Sequence, residues 1–215
     1  MHPLPLVSAK PKLRGHFHQA SFFVSLGACS LLIAKAHGTR TRAAAVIYAC
    51  SLCGLFGVSA LYHRPQWKPE FRVWMRRFDH AAIFILIAGT ATPIALLAMP
   101  DLAGMRFFKV LWLSATAGVL LSVFWVDAPK WITAVVAVGV GSMVFPFISD
   151  LRSALSSSDL FLIFCGGLLY ILGAIIYALK RPNPAPLVFG YHEIFHGLVV
   201  IAAVLHFFVI YLLIN

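Results

Sequence analysis

YHEIFHGLVVIAAVLHFFVIYLLIN, residues 191–215, carries two readings at once. Its head matches H-E-x-x-H, the pattern in which two histidines one helical turn apart bind zinc and the glutamate acts as general base. From Gly197 to Asn215 there is no Asp, Glu, Lys or Arg. An apolar run of about 20 residues spans the hydrocarbon core of a bilayer as a helix. A metal motif therefore stands at the mouth of a membrane span.

The rest of the chain has the same character. Of its 215 residues, 61% are hydrophobic and 11% charged, against about 25% charged in soluble domains. The mean hydropathy is +0.90. A soluble core does not hide that much apolar surface, so the surrounding solvent is lipid. Seven apolar runs are long enough to cross: 17–36, 43–63, 79–99, 106–126, 130–149, 159–179 and 192–214. Runs this long exclude barrel strands, and only helices satisfy their own backbone in lipid without closing a barrel. The expected fold is all-α, a single polytopic seven-helix membrane domain over residues 1–215. Pro100, Asp127–Pro129, Ser156–Asp159 and Arg181–Pro184 separate spans, while Pro93 and Pro146 fall inside spans and should kink them.

The opening stretch MHPLPLVSAKPKLRG is basic and proline-bearing. The apolar run after it has the length of a full span, which predicts a retained helix rather than a cleaved leader. Cys29, Cys50, Cys53 and Cys165 all lie in apolar runs. They imply no disulfide framework, and the C-x-x-C of Cys50 and Cys53 is read as packing.

Lysine and arginine orient the bundle. Eleven of the 17 fall on the N-terminal segment and on every second loop after it, and six on the alternate loops. This predicts a cytoplasmic tail over residues 1–16, with Asn215 on the opposite side. The basic excess then reflects topology and contact with anionic lipid; a nucleic-acid partner would need a solvated basic domain. The loop 64–78 contains WKPEFRVWMRRF, with Trp67, Phe71, Trp74 and Phe78 spaced at helical intervals and arginines elsewhere. That pattern predicts an amphipathic segment in the membrane interface.

With this orientation, His63 ends one span, Asp79 begins the next, and His192 and His196 begin the last. All four reach the cytoplasmic level. His192 and His196 share a helix face, as do Ser59 and His63. Three histidines with an open position form a catalytic zinc set. Asp79 could accept a proton from the zinc-activated water, and Ser59 could bond a substrate oxygen. Blander readings stand beside this one. An interfacial histidine is usually a polar anchor. Asp79 has Arg76 and Arg77 nearby for an ordinary ion pair, and Ser59 can bond a backbone carbonyl. His206 lies deeper and is expected to make a helix–helix hydrogen bond. His16, His18 and His80 are read as anchors or outer supports; His37 belongs to the opposite side and His2 to a loose end.

Three patches carry a family resemblance: SALYH (59–63), RRFDHAAIFILIAGTATP (76–93) and YHEIFHGLVVIAAVLHFF (191–208). They resemble, in order, the S-x-x-x-H, Asp-headed and H-x-x-x-H motifs of the hemolysin III family. That family lies within the progestin and adipoQ receptor superfamily, which includes the adiponectin receptors. The resemblance implies Zn2+ held by His63, His192 and His196, with Asp79 meeting it through water and Ser59 beside it. It also implies a hydrolase acting on a lipid amide such as a ceramide, in a bacterial inner membrane, with membrane lipid as the partner. A receptor-like or pore-forming protein with structural zinc is the alternative, and an H-E-x-x-H intramembrane protease the third reading. Adiponectin receptors carry glutamine after the first histidine of the final motif, which argues against Glu193 as general base. Many bacterial members carry a Glu and Asn pair near the first span, where this chain reads LRGHFHQASF (13–22).

Overall fold

The computed structural model describes residues 10–215; His2 lies outside them. Eight α-helices make up the described chain: α1 His16–Lys35, α2 Thr39–His63, α3 Pro69–Pro93, α4 Asp101–Phe124, α5 Lys130–Ser142, α6 Ile148–Ala154, α7 Ser157–Leu179 and α8 Tyr191–Ile214. With α5 and α6 taken together, seven segments are long and apolar enough to cross a membrane.

Local chemistry sets the breaks. Pro100 and Pro129 stand at the N-caps of α4 and α5, where a missing N–H costs nothing. The Ser156 hydroxyl caps α7 by accepting the Asp159 N–H at 3.1 Å. Pro93 is followed by a π-helical turn, Ile94–Ala98, whose wider ring absorbs the displaced carbonyl. Pro146 has the larger effect. Its ring would clash with the carbonyl of Ser142, and α5 ends there. A 3-10 turn, Phe145–Phe147, then leads into α6. The fifth span thus runs to Ala154, five residues beyond the expected end.

The third span also differs from expectation. The aromatic–arginine stretch is helical, but it is not a separate segment: α3 runs unbroken from Pro69 through Asp79 to Pro93. Pro69 begins the helix at a position its ring favours, and neither glycine nor proline follows before Gly89. Phe71, Trp74 and Phe78 remain exposed along its first turns.

The spans close a ring in sequence order. Helix α1 packs on α2, α2 on α3, α3 on α4, α5 on α4 and α7, α7 on α8, and α8 back on α1. Helix α3 also touches α5 and α8, so it crosses the interior and is the most buried span. Between lipid-facing helices apolar burial drives little, and close approach of small residues matters more. Gly118 admits the buried Phe84 ring in this way, with no room for a Cβ. The ring places the ends of α2 and α7 and the starts of α1, α3, α5 and α8 at one pole.

Candidate metal centre

That pole brings three imidazoles together. His63 is the last residue of α2, His192 the second of α8, and His196 follows one turn later. Each offers a ring nitrogen, and the three lie within 4.8 Å of one another. His63 Nε2 and His192 Nε2 are 3.1 Å apart. All three side chains are buried. The Asp79 carboxylate, at the inner end of the exposed part of α3, comes within 3.7 Å of His63 Nε2. Ser59, one turn deeper on α2, neighbours that carboxylate. The sequence-predicted set of Ser59, His63, Asp79, His192 and His196 is thus brought together as a unit.

The donor set fits a metal ion. Zinc–imidazole bonds of about 2.0–2.1 Å at a tetrahedral angle put ligand nitrogens roughly 3.3 Å apart. The 3.1 Å separation of His63 and His192 is close to that. His192 Nδ1 is buried with no hydrogen-bond partner, whereas a ligating histidine usually has its other nitrogen bonded. Among the described residues, Asp79 supplies the one carboxylate within 4.0 Å of these ring nitrogens.

Glu193 has a different occupation. It is fully buried, accepts the Gly190 N–H at 2.8 Å and pairs with the guanidinium of Arg14. The first bond is the return half of a capping box at the start of α8. The second ties α8 to the segment preceding α1. Arg14 can reach Glu193 because residues 10–15 fold back over this pole. Lys12 N–H and Leu13 N–H donate to the carbonyls of Leu187 and Val188 at 3.0 and 3.1 Å. Gly15 then crosses directly over His63: its φ is +82°, and a Cβ there would come within 2.8 Å of the His63 Cβ.

Sequence reasoning underweighted three neighbours. His18 lies flat on His196, with ring centroids 3.8 Å apart and planes 5° from parallel, and both its nitrogens lack partners. The H-x-H at the head of the first span was the available signal. Arg14 had none, since its partner is 179 positions away. Lys130 donates to the Tyr191 hydroxyl at 2.9 Å and sits 4.6 Å from the Tyr177 ring centroid, beside His192. His206 behaves as expected, with its Nε2–H donating to the Ile163 carbonyl on α7 at 3.1 Å. His80 lines the cavity below the centre, and His16 lies 3.5 Å from Arg64 Nη1.

The cavity has a volume of about 390 Å³. Ser59, Asp79, His192 and His196 line its polar end, and His206 lies farther in. Its walls are mostly apolar side chains of α3, α4, α5, α7 and α8. Its size and lining suit a small-molecule or lipid-tail site.

Comparison with known proteins agrees with the motifs. The family described as "Haemolysin-III related" matches residues 7–207. Hemolysin-3 of Bacillus cereus is 28% identical over 167 residues, 76% of each chain. The Hemolysin-3 homolog of Bacillus subtilis strain 168 is 28% identical over 162 residues, 75% of this chain and 73% of its own. The monocyte to macrophage differentiation factor of Homo sapiens is 27% identical over 174 residues, 77% of this chain and 68% of its own. With seven apolar helices, three motifs in order and a match over nearly its whole length, this chain is an integral membrane protein of the haemolysin-III-related family, within the progestin and adipoQ receptor superfamily.

Proposed function

We propose that the protein is a zinc-dependent hydrolase of a lipid amide, with His63, His192 and His196 holding the metal. One observation carries this reading: three buried imidazoles and a carboxylate converge at the polar end of an apolar cavity. When bound, zinc supplies an activated water and a Lewis acid for the acyl carbonyl.

The protein's own groups do the rest. The cavity takes the acyl chain and excludes water around the scissile bond. Asp79 holds a proton acceptor beside the centre, and Ser59 keeps its carboxylate in place from one turn below. Glu193 does not serve as base, because Arg14 and the Gly190 N–H engage its carboxylate. This weighs against the protease reading. The histidine pole carries the larger share of the basic residues, so we place it and the N-terminus in the cytoplasm.

The test compares two carboxylate variants. Removing a general base costs about 10²–10⁴-fold in rate. Asp79→Asn should lose that much activity on a long-chain acyl amide while keeping its zinc, and Glu193→Gln should retain most of its rate. The reverse ranking would favour the protease. The printed names of the Bacillus relatives support a second reading, a pore former with structural zinc. Zinc-loaded protein that leaks liposomes but cleaves no lipid amide would select it.

A further inference from the structure

A second feature of the histidine pole lies outside the cavity. Lys10, Arg64 and Arg72 come from three different segments, the strap before α1, the end of α2 and the first turn of α3. Lys10 Nζ donates to the Arg64 carbonyl at 3.0 Å. Arg64 Nε donates to Gln19 Oε1 at 2.8 Å. The Arg72 guanidinium lies 5.7 Å from the Tyr62 ring centroid. Each cation is therefore held by a neutral group. Among the described residues, no carboxylate comes within 4.0 Å of any of the three. Of the nearby acids, Glu193 is paired with Arg14, and Glu70, two positions before Arg72 on α3, makes no ion pair among the described residues.

Crowding like charges has a cost, and it is visible here. Burial, and then the guanidiniums of Arg64, Arg72 and Arg14, pull the Lys10 ammonium below its ordinary value. Fixed, surface-reachable cations with neutral supports and no counter-charge are the arrangement that receives an anion. Their surroundings identify its source. Phe17, Leu61 and Phe71, each within three positions of Gln19, Arg64 or Arg72 in the chain, are exposed, so the cations sit where an apolar, lipid-facing wall meets the polar end of the bundle. An anion there that also carries acyl chains satisfies both surfaces.

We propose that Lys10, Arg64 and Arg72 form a seat for the phosphate of an anionic phospholipid, whose chains lie along the outer face of α1, α2 and α3. The seat is separate from the cavity and does not depend on a metal. It is coupled to the histidine centre through the strap: Lys10 holds the strap's outer end, and Gly15 at its inner end packs on His63. An occupied seat would hold the strap closed over the centre.

Native mass spectrometry of the full chain, released from mixed micelles of phosphatidylglycerol and phosphatidylcholine, tests this. Wild type should retain phosphatidylglycerol preferentially. The preference should fall about fivefold for each cation neutralised in Lys10→Gln, Arg64→Gln and Arg72→Gln. The charge-keeping pair Arg64→Lys and Arg72→Lys should preserve most of it, and serves where the glutamine variants fold poorly. Arg106→Gln with Lys109→Gln, at the other pole, should change nothing. Equal retention of both lipids by wild type, or an unchanged preference in the triple glutamine variant, would overturn the proposal. So would displacement of the bound lipid by millimolar inorganic phosphate alone, which would identify a free-anion site.

Discussion

Glu193 occupies the place that a zinc protease gives its general base, yet here it fastens the start of α8 to the segment before α1. Its worth is therefore in stability. Glu193→Gln leaves the Arg14 guanidinium without its partner at a largely buried site. Breaking a buried pair costs about 3–5 kcal/mol, and the partial exposure of Arg14 puts this case at the low end. A clear drop in the unfolding midpoint in detergent, with zinc content unchanged, is the expected result. The histidines predict the opposite pattern. His63→Ala, His192→Ala and His196→Ala should each lose zinc, read by metal analysis of purified protein, and should also lose stability, because ligands on two helices couple metal binding to folding. His206→Ala should keep its zinc, since its bond is to α7 and not to the centre. Full zinc retention in all three ligand variants would sink the assignment.

At the level of elements, Gly166 on α7 allows a close approach of α8. A Cβ on Gly166 would overlap the His206 ring, which its bond to Ile163 holds in place. Gly166→Ala should therefore destabilise by about 1–3 kcal/mol through overpacking. Gly167, one position on, meets nothing within 4 Å. Gly167→Ala should be neutral or slightly stabilising, as alanine is the better helix former by about 1 kcal/mol. Combining Gly166→Ala with His206→Ala should recover part of the loss. Thermal unfolding of these three variants and of His206→Ala alone in one detergent checks all of this, and equal effects at 166 and 167 would refute the contact. The continuity of α3 belongs to the same scale. Amphipathic spacing in 67–78 signalled a helix correctly, but spacing cannot say whether that helix stops. Only a breaker would stop it, and none lies between Pro69 and Gly89.

For the molecule as a whole, seven spans put Lys10 and Asn215 at opposite poles of the ring. On the positive-residue bias, our proposal places the histidine pole in the cytoplasm. Reporter fusions at both ends should report the N-terminus inside and Asn215 outside. A cytoplasmic C-terminus would place the centre on the other face of the membrane and overturn that orientation.

The sequence by itself determined the helical class, the seven spans and which polar residues meet at one pole. Each of these follows from a one-dimensional signal. Bilayer thickness sets the length of an apolar run, prolines and caps set its ends, and span parity sets which residues reach the same level. That is why Ser59, His63, Asp79, His192 and His196 could be grouped although 133 positions separate His196 from His63 at the end of the second span. The tertiary structure decided what parity leaves open, namely which side chains face one another around a ring. It laid His18 on His196, turned Glu193 toward Arg14 and brought Lys10 to Arg64. It also opened the cavity between α3, α5, α7 and α8, since a void is a property of facing surfaces and no single segment encodes it.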